Sequence, residues 1–148
     1  MFRGTSSHSI DSKGRIKIPS RFKEVIKADG FDRIIVTKLD KSLVGYAPVQ
    51  WQDIESKIMS LAERSDYMRR FRRVFVGSAV ECEWDKQDRI LIPPNLRKYA
   101  EIDKEIVLVG VLDHFEIWSQ KNWENEDLAM EEDMKKEDVR NEIAKLGL

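Results

Sequence analysis

Asp11 and Arg15 stand four residues apart in DSKGRIKIP (Asp11–Pro19), and Asp85 and Arg89 stand four apart in DKQDRILIP (Asp85–Pro93). A carboxylate and a guanidinium at this spacing can do three kinds of chemistry. The Asp can accept backbone N–H groups two residues on and fix a tight turn, which the Arg closes. An outward-pointing Arg can reach a guanine edge bidentately or neutralise a phosphate. Two such Asp residues, brought together by a repeat, could form an acid–base pair. An Arg at each turn-closing position, however, holds the carboxylate ionised and lowers its pKa, which suits structure better than general acid catalysis.

The two nonapeptides belong to an internal duplication, and repeats decide a fold before any local reading does. Asp11 and Asp85, Arg15 and Arg89, and Pro19 and Pro93 are each separated by 74 residues. FRG (Phe2–Gly4) corresponds to FVG (Phe75–Gly77), and Phe22 corresponds to Leu96. A two-residue deletion then aligns IIVTKLDKSLVGYAPVQW (Ile34–Trp51) with IVLVGVLDHFEIWSQKNW (Ile106–Trp123), so that Leu43 meets Phe115, Tyr46 meets Trp118 and Trp51 meets Trp123.

The elements that must position these turns follow from residue pattern. Ser6–Ile10 leads into the Asp11–Arg15 turn, and Ile16 and Ile18 alternate as in a half-buried strand leaving it, the two arms forming an outward-facing hairpin. A Pro-initiated helix places Phe22, Val25 and Ile26 on one face. A hairpin follows, Arg33–Lys38 and Leu43–Tyr46 around LDKS, and then a helix from Pro48 with Trp51, Ile54, Ile58 and Leu61 at helical spacing. The second half repeats this with strands at Glu81–Trp84, Arg89–Ile92, Glu105–Val111 and Phe115–Trp118, a short helix near Asn95–Ala100, and one C-terminal helix from Asn122 to near Gly147. Between the halves, Ser65 is a predicted N-cap, and Met68, Phe71, Val74 and Phe75 fall on one helical face. The expected division is 1–64, a connecting helix 65–74, and 75–148. The class is α+β with pseudo-twofold repetition. No Gly- or Pro-rich linker separates the halves, so they are expected to pack together.

If Ile16 and Ile18 point inward, Arg15 and Lys17 point out together beside Lys13 at the turn tip. Gly14 supplies positive φ there without steric cost. A two-stranded ribbon bearing such a basic ridge fits a major groove. The second ridge is poorer: Lys86 and Arg89 remain, but Leu91 replaces Lys17 and Asp88 replaces Gly14. Asp tolerates left-handed geometry, so the turn is expected to survive with weakened phosphate contact. The competing reading is a solvated, turn-stabilising ion pair of little energetic worth. Repetition and local charge favour binding. Arg69, Arg70, Arg72 and Arg73 fit a solvated face, a subunit contact or an auxiliary phosphate contact equally well. Trp51, Trp118 and Trp123 read as core or interface residues.

Composition narrows the field. The 148 residues are 41% hydrophobic and 36% charged with a net charge of −1. That average conceals a segregation: residues 1–27 hold seven bases against two acids, and residues 119–148 hold five bases against nine acids. Such asymmetry suggests one face for a polyanion and another for solvent or a partner. No apolar run approaches a membrane span and the N-terminus lacks a secretory h-region. The single Cys82 excludes an intrachain disulfide and fits a reducing compartment, and the protein is expected in the cytoplasm. His8 and His114 show no metal-ligand spacing with Cys82, and no Gly-rich phosphate loop is present, so neither metal nor cofactor nor enzymatic activity is expected.

MFRG at the N-terminus, DSKGR followed by IPSRF, the second pair Asp85–Arg89, LVG (Leu108–Gly110) and FEIW (Phe115–Trp118) together resemble the MraZ family of bacterial transcriptional regulators. The departure is Asp88, where that family usually has Gly. The resemblance implies two tandem swapped-hairpin half-domains of the AbrB type forming an intrachain pseudo-dimer with flanking helices. It implies homo-oligomeric rings, octamers or dodecamers, that bind repeated boxes of double-stranded DNA in the promoter of the division and cell-wall gene cluster, usually as repressors at the nucleoid. Carried over by position, the DNA-facing residues are Arg15 and Arg89 with Lys13 and Lys86 beside them, and Arg3 within FRG. A ring scaffold docking acidic proteins through the same turns stands as the alternative, and a small hydrolase using Asp11 and Asp85 as a third.

Overall fold

The computed structural model describes residues 1–61 and 65–148. In chain order these form β1 (Thr5–Ser9), β2 (Arg15–Lys17), α1 (Ser20–Lys27), β3 (Arg33–Leu39), β4 (Ser42–Tyr46), α2 (Pro48–Ser60), α3 (Asp66–Gly77), β5 (Val80–Glu83), β6 (Arg89–Leu91), α4 (Pro94–Tyr99), β7 (Glu105–Gly110), β8 (Phe115–Ser119), α5 (Gln120–Asp133) and α6 (Glu137–Ala144). Among them the strands build one antiparallel sheet, in the order β1-β7-β8-β4-β3-β5, and a separate two-stranded ribbon, β2-β6. The fold is a mixture of helices and antiparallel sheet, as the pattern predicts.

The duplication is written into the pairing. Ser9 pairs with Glu105 and Glu83 pairs with Arg33, which are the same contact once each residue is exchanged for its counterpart 74 or 72 positions away. At the centre of the large sheet Leu43 faces Ile117, Val44 faces Glu116 and Gly45 faces Phe115. That register maps onto itself when the halves are exchanged, so a pseudo-twofold axis passes between Val44 and Glu116. The first strand of each half pairs with the other half: β1 with β7, β5 with β3. Neither half closes its own sheet.

The shared core lies beneath the ribbon. Ile16, Ile18, Ile90 and Ile92 meet Phe22, Ile26, Leu96 and Ala100 from the short helices and Ile34, Leu43, Ile106, Leu108, Phe115 and Ile117 from the sheet. Alternation drives this: each ribbon strand buries its Ile residues and turns its charged neighbours outward. A second cluster, Ile35, Val44, Tyr46, Trp51, Ile58 and Phe75, packs α2 and α3 on the opposite side of the sheet.

Several expectations are corrected. The arms of the Asp11 turn do not form a hairpin, because β2 pairs with β6 instead of β1. Period-two alternation fixes which face is buried but not which strand lies alongside. Leu61 ends α2 in extended geometry and is exposed, so it is not part of the apolar helix face. In α3 only Phe75 of the predicted face is buried, while Phe71 and Val74 remain exposed. Ser65 caps that helix by accepting the Met68 N–H at 3.3 Å. FRG and FVG differ in conformation, since Phe2 bridges Leu112 in extended form while Phe75 lies within α3. The C-terminal helix is two helices. After its first turn α5 leaves the core, and Glu137 and Asp138 favour a fresh N-terminus at α6.

A candidate nucleic-acid interface

The ribbon sets Arg15 opposite Leu91, Ile16 opposite Ile90 and Lys17 opposite Arg89. With Ile16 and Ile90 buried, Arg15, Lys17, Arg89 and Leu91 share the outer face. Two ridges predicted as separate therefore merge into one basic strip. Lys17 directly opposite Arg89 is a like-charge pair, which costs energy that a bridging anion relieves.

Each end of the strip is a locked turn. The Asp11 carboxylate accepts the backbone N–H groups of Lys13 at 3.0 Å and Arg15 at 2.8 Å, and Arg15 Nε at 2.7 Å. Asp85 repeats this with the N–H groups of Gln87 at 2.8 Å and Arg89 at 3.0 Å, and with Arg89 Nε at 3.0 Å and Nη2 at 2.9 Å. The halves also touch here, because Arg89 Nη1 lies 3.7 Å from Asp11 Oδ2. Gly14 at φ +88° and Asp88 at φ +62° occupy equivalent left-handed positions, so Asp is accommodated where glycine serves in the first copy. The Gly14 carbonyl accepts the Ile92 N–H and the Asp88 carbonyl accepts the Ile18 N–H, both at 2.9 Å, extending the ribbon symmetrically.

These bonds explain the carboxylate electrostatics. The Arg15 backbone N–H, ahead of its side chain and the Lys13 N–H, lowers Asp11 to about 2 from 3.8. The Arg89 backbone N–H lowers Asp85 in the same way. Neither carboxyl is protonated near neutrality, which argues against an acid–base pair. Because the folded-state pKa is depressed, the stability Asp11 contributes is complete above about 3.8 and is lost as pH falls toward about 2. The Asp11→Asn variant is therefore expected to be less stable than the parent at pH 7, with the two acid-unfolding curves converging as pH falls from 4 to 2, as followed by circular dichroism. Parallel curves would show that the charge of Asp11 contributes nothing to stability.

Of the remaining predicted residues, Lys13 and Lys86 sit exposed at the two tips and Lys17 on the strip. Arg3 is placed elsewhere. It adjoins the Phe2–Leu112 bridge, at the end of β1 remote from the Asp11 turn, and its carbonyl accepts Arg21 Nε at 3.2 Å. Two cations escaped the sequence reading. Arg97 of α4 covers Gly14, with Cζ 2.7 Å from the point a Cβ would occupy. Lys23 of α1 forms an ion pair with Asp88. They are themselves 74 residues apart, so the repeat offset was the signal that could have found them.

Comparison with known proteins agrees with this doubled architecture. The sequence pattern of the family described as "MraZ protein, putative antitoxin-like" matches residues 1–74 and again residues 75–142. The chain belongs to the MraZ family. Each of the two MraZ matches contains one Asp-x-x-x-Arg turn and one strand of the ribbon. The chain is 55% identical, over all of both chains, to the transcriptional regulator MraZ of Desulforapulum autotrophicum, and 53% identical, again end to end, to that of Desulfosudis oleivorans. A transcriptional regulator MraZ of Caldicellulosiruptor saccharolyticus is 40% identical over the full length of both. Among the described residues no helix of this MraZ family member is long and apolar enough to cross a membrane.

Proposed function

We propose that the protein is a sequence-specific DNA-binding transcriptional regulator that lays the β2–β6 ribbon in the major groove. The observation that carries this is the strip itself: Arg15, Lys17 and Arg89 on one two-stranded ribbon, with Lys13 and Lys86 at the tips of its turns and both turns locked by carboxylates. Arg15 and Arg89 read base edges and the lysines neutralise phosphates. In this reading residues 1–64 and 75–148 are swapped-hairpin units of the AbrB type joined through 65–74. The exchange of β1 and β5 between halves supports it. Arg3, with its exposed side chain, serves as a peripheral phosphate contact.

One chain offers three or four phosphate-neutralising groups, so its binding is weak and falls with salt at a slope of about −3 in log K against log salt. Copies assembled into a homo-oligomeric ring, an octamer or dodecamer, raise the effective concentration of each successive contact when box spacing matches subunit spacing. The exposed Phe71 and Val74 on α3 are apolar surface available for that assembly. The target we propose is the promoter of the division and cell-wall cluster, repressed from the cytoplasm at the nucleoid. The relatives' description as transcriptional regulators agrees with this reading.

A salt titration by fluorescence anisotropy tests it, using duplex from upstream of the protein's own gene and a scrambled duplex. Expected are tighter binding to the first and the slope given above, multiplied by the number of chains engaged. Equal affinity for both duplexes would remove sequence specificity, and a slope near zero would remove DNA as the partner.

A further inference from the structure

We infer that the ribbon's two turns are unequal anion sites: beside the base-reading Arg15, Arg97 joins Lys13 as a second phosphate-binding cation at the first turn, while Asp88 closes the second by engaging Lys23. This rests on the DNA-binding reading above and names residues that reading does not need.

The repeat supplies the comparison. Gly14 and Asp88 occupy equivalent turn positions, and Lys23 and Arg97 occupy equivalent helix positions, each pair 74 residues apart. The helix residue of one half covers the turn of the other, so Arg97 lies on Gly14 and Lys23 lies on Asp88. What differs is the charge between them. Arg97 has no carboxylate or hydrogen-bond acceptor among the described residues, and its Nε is buried without a partner. An anion approaching it displaces no ion pair, and charge-assisted bonds to a phosphate are the strong ones. Lys23 holds Asp88 and lies 5.3 Å above the Trp84 ring, so a phosphate must first compete with a carboxylate already in place. Lys13, Arg15 and Arg97 against Asp11 leave the first turn at +2, whereas Lys86, Arg89 and Lys23 against Asp85 and Asp88 leave the second at +1.

The steric detail agrees. Only glycine at position 14 lets the Arg97 guanidinium approach so closely, because a Cβ there would collide with Cζ and Nη1. Glycine in the first turn thus does two things: it accepts the left-handed backbone and it admits the cation. One chain consequently grips DNA with a strong turn and a weak one, and binds its box with a polarity.

The test compares affinities of the full chain for the promoter duplex by fluorescence anisotropy, with thermal unfolding as the check on folding. Arg97→Met keeps an apolar stem over Gly14 and is expected to weaken binding about tenfold and to reduce the magnitude of the salt slope by about one per chain. Asp88→Gly accepts the same φ and is expected to tighten binding about tenfold by releasing Lys23. Adding Lys23→Met to Asp88→Gly should abolish that gain. If Arg97→Met and Asp88→Gly both stay within about twofold of the parent while Arg15→Ala loses binding, the asymmetry is wrong and the ribbon reading stands. Should Arg15→Ala bind like the parent, both fall together.

Discussion

Replacing Arg15 with Ala is expected to lower affinity for the promoter duplex by about 10- to 100-fold, measured by fluorescence anisotropy at fixed salt. A bidentate Arg–guanine contact is worth about 1–3 kcal/mol of discrimination, and repetition around an oligomer multiplies any loss per chain. The loss should fall on the specific duplex more than on a scrambled one, because a base contact is removed along with a charge. Arg89→Ala is expected to cost less. Its turn carries Asp88, and its guanidinium is shared between Asp85 at 2.9 Å and Asp11 at 3.7 Å. Equal losses at the two positions would mean that the ribbon reads DNA symmetrically.

The second large effect is on stability. Phe115→Ala should destabilise the fold by about 3–5 kcal/mol, the range for removing a buried aromatic ring. Its side chain is fully buried. It meets Phe22 at 5.2 Å and Phe2 at 5.4 Å between ring centroids, and those two meet each other edge-on at 5.3 Å. Phe2 and Phe22 come from the first half and Phe115 from the second, so this triad joins the repeats. Gly45 lies directly against the Phe115 ring, and its strand is paired on both sides, with β3 and β8, which resists collapse into the space. Urea unfolding should show a lower midpoint with one cooperative transition. A loss below about 1 kcal/mol would mean the triad does not bind the halves together.

Much of this was legible in the residues. The change of repeat offset from 74 to 72 between Asp85 and Ile106 reappears in the strand pairing, because both halves must present equivalent edges across the pseudo-twofold axis. Ile16, Ile18, Ile90 and Ile92 were readable as buried, since alternation dictates face. Partner choice was not. Nothing in a period of two distinguishes β2 beside β1 from β2 beside β6, and only the shared core under Ile16 and Ile90 decides it. The turns were readable because Asp11 and Asp85 bond within four residues of themselves. Arg97 and Lys23 were readable only as an equivalent pair at the repeat offset and not as neighbours of the turns, because those contacts arise from docking across the repeat. On α3 the helical period was plain, yet among the described residues Phe71 and Val74 stay exposed, which amphipathic spacing alone cannot reveal.

The most direct measurement is a gel shift of the parent and the Arg15→Ala/Arg89→Ala double variant on duplex from upstream of the protein's own gene, at low and moderate salt with random competitor. The ribbon account predicts a competitor-resistant, salt-sensitive band for the parent and none for the variant, with both proteins unfolding at similar temperatures. An undiminished band for the double variant would contradict it and would move the contact off the β2–β6 ribbon.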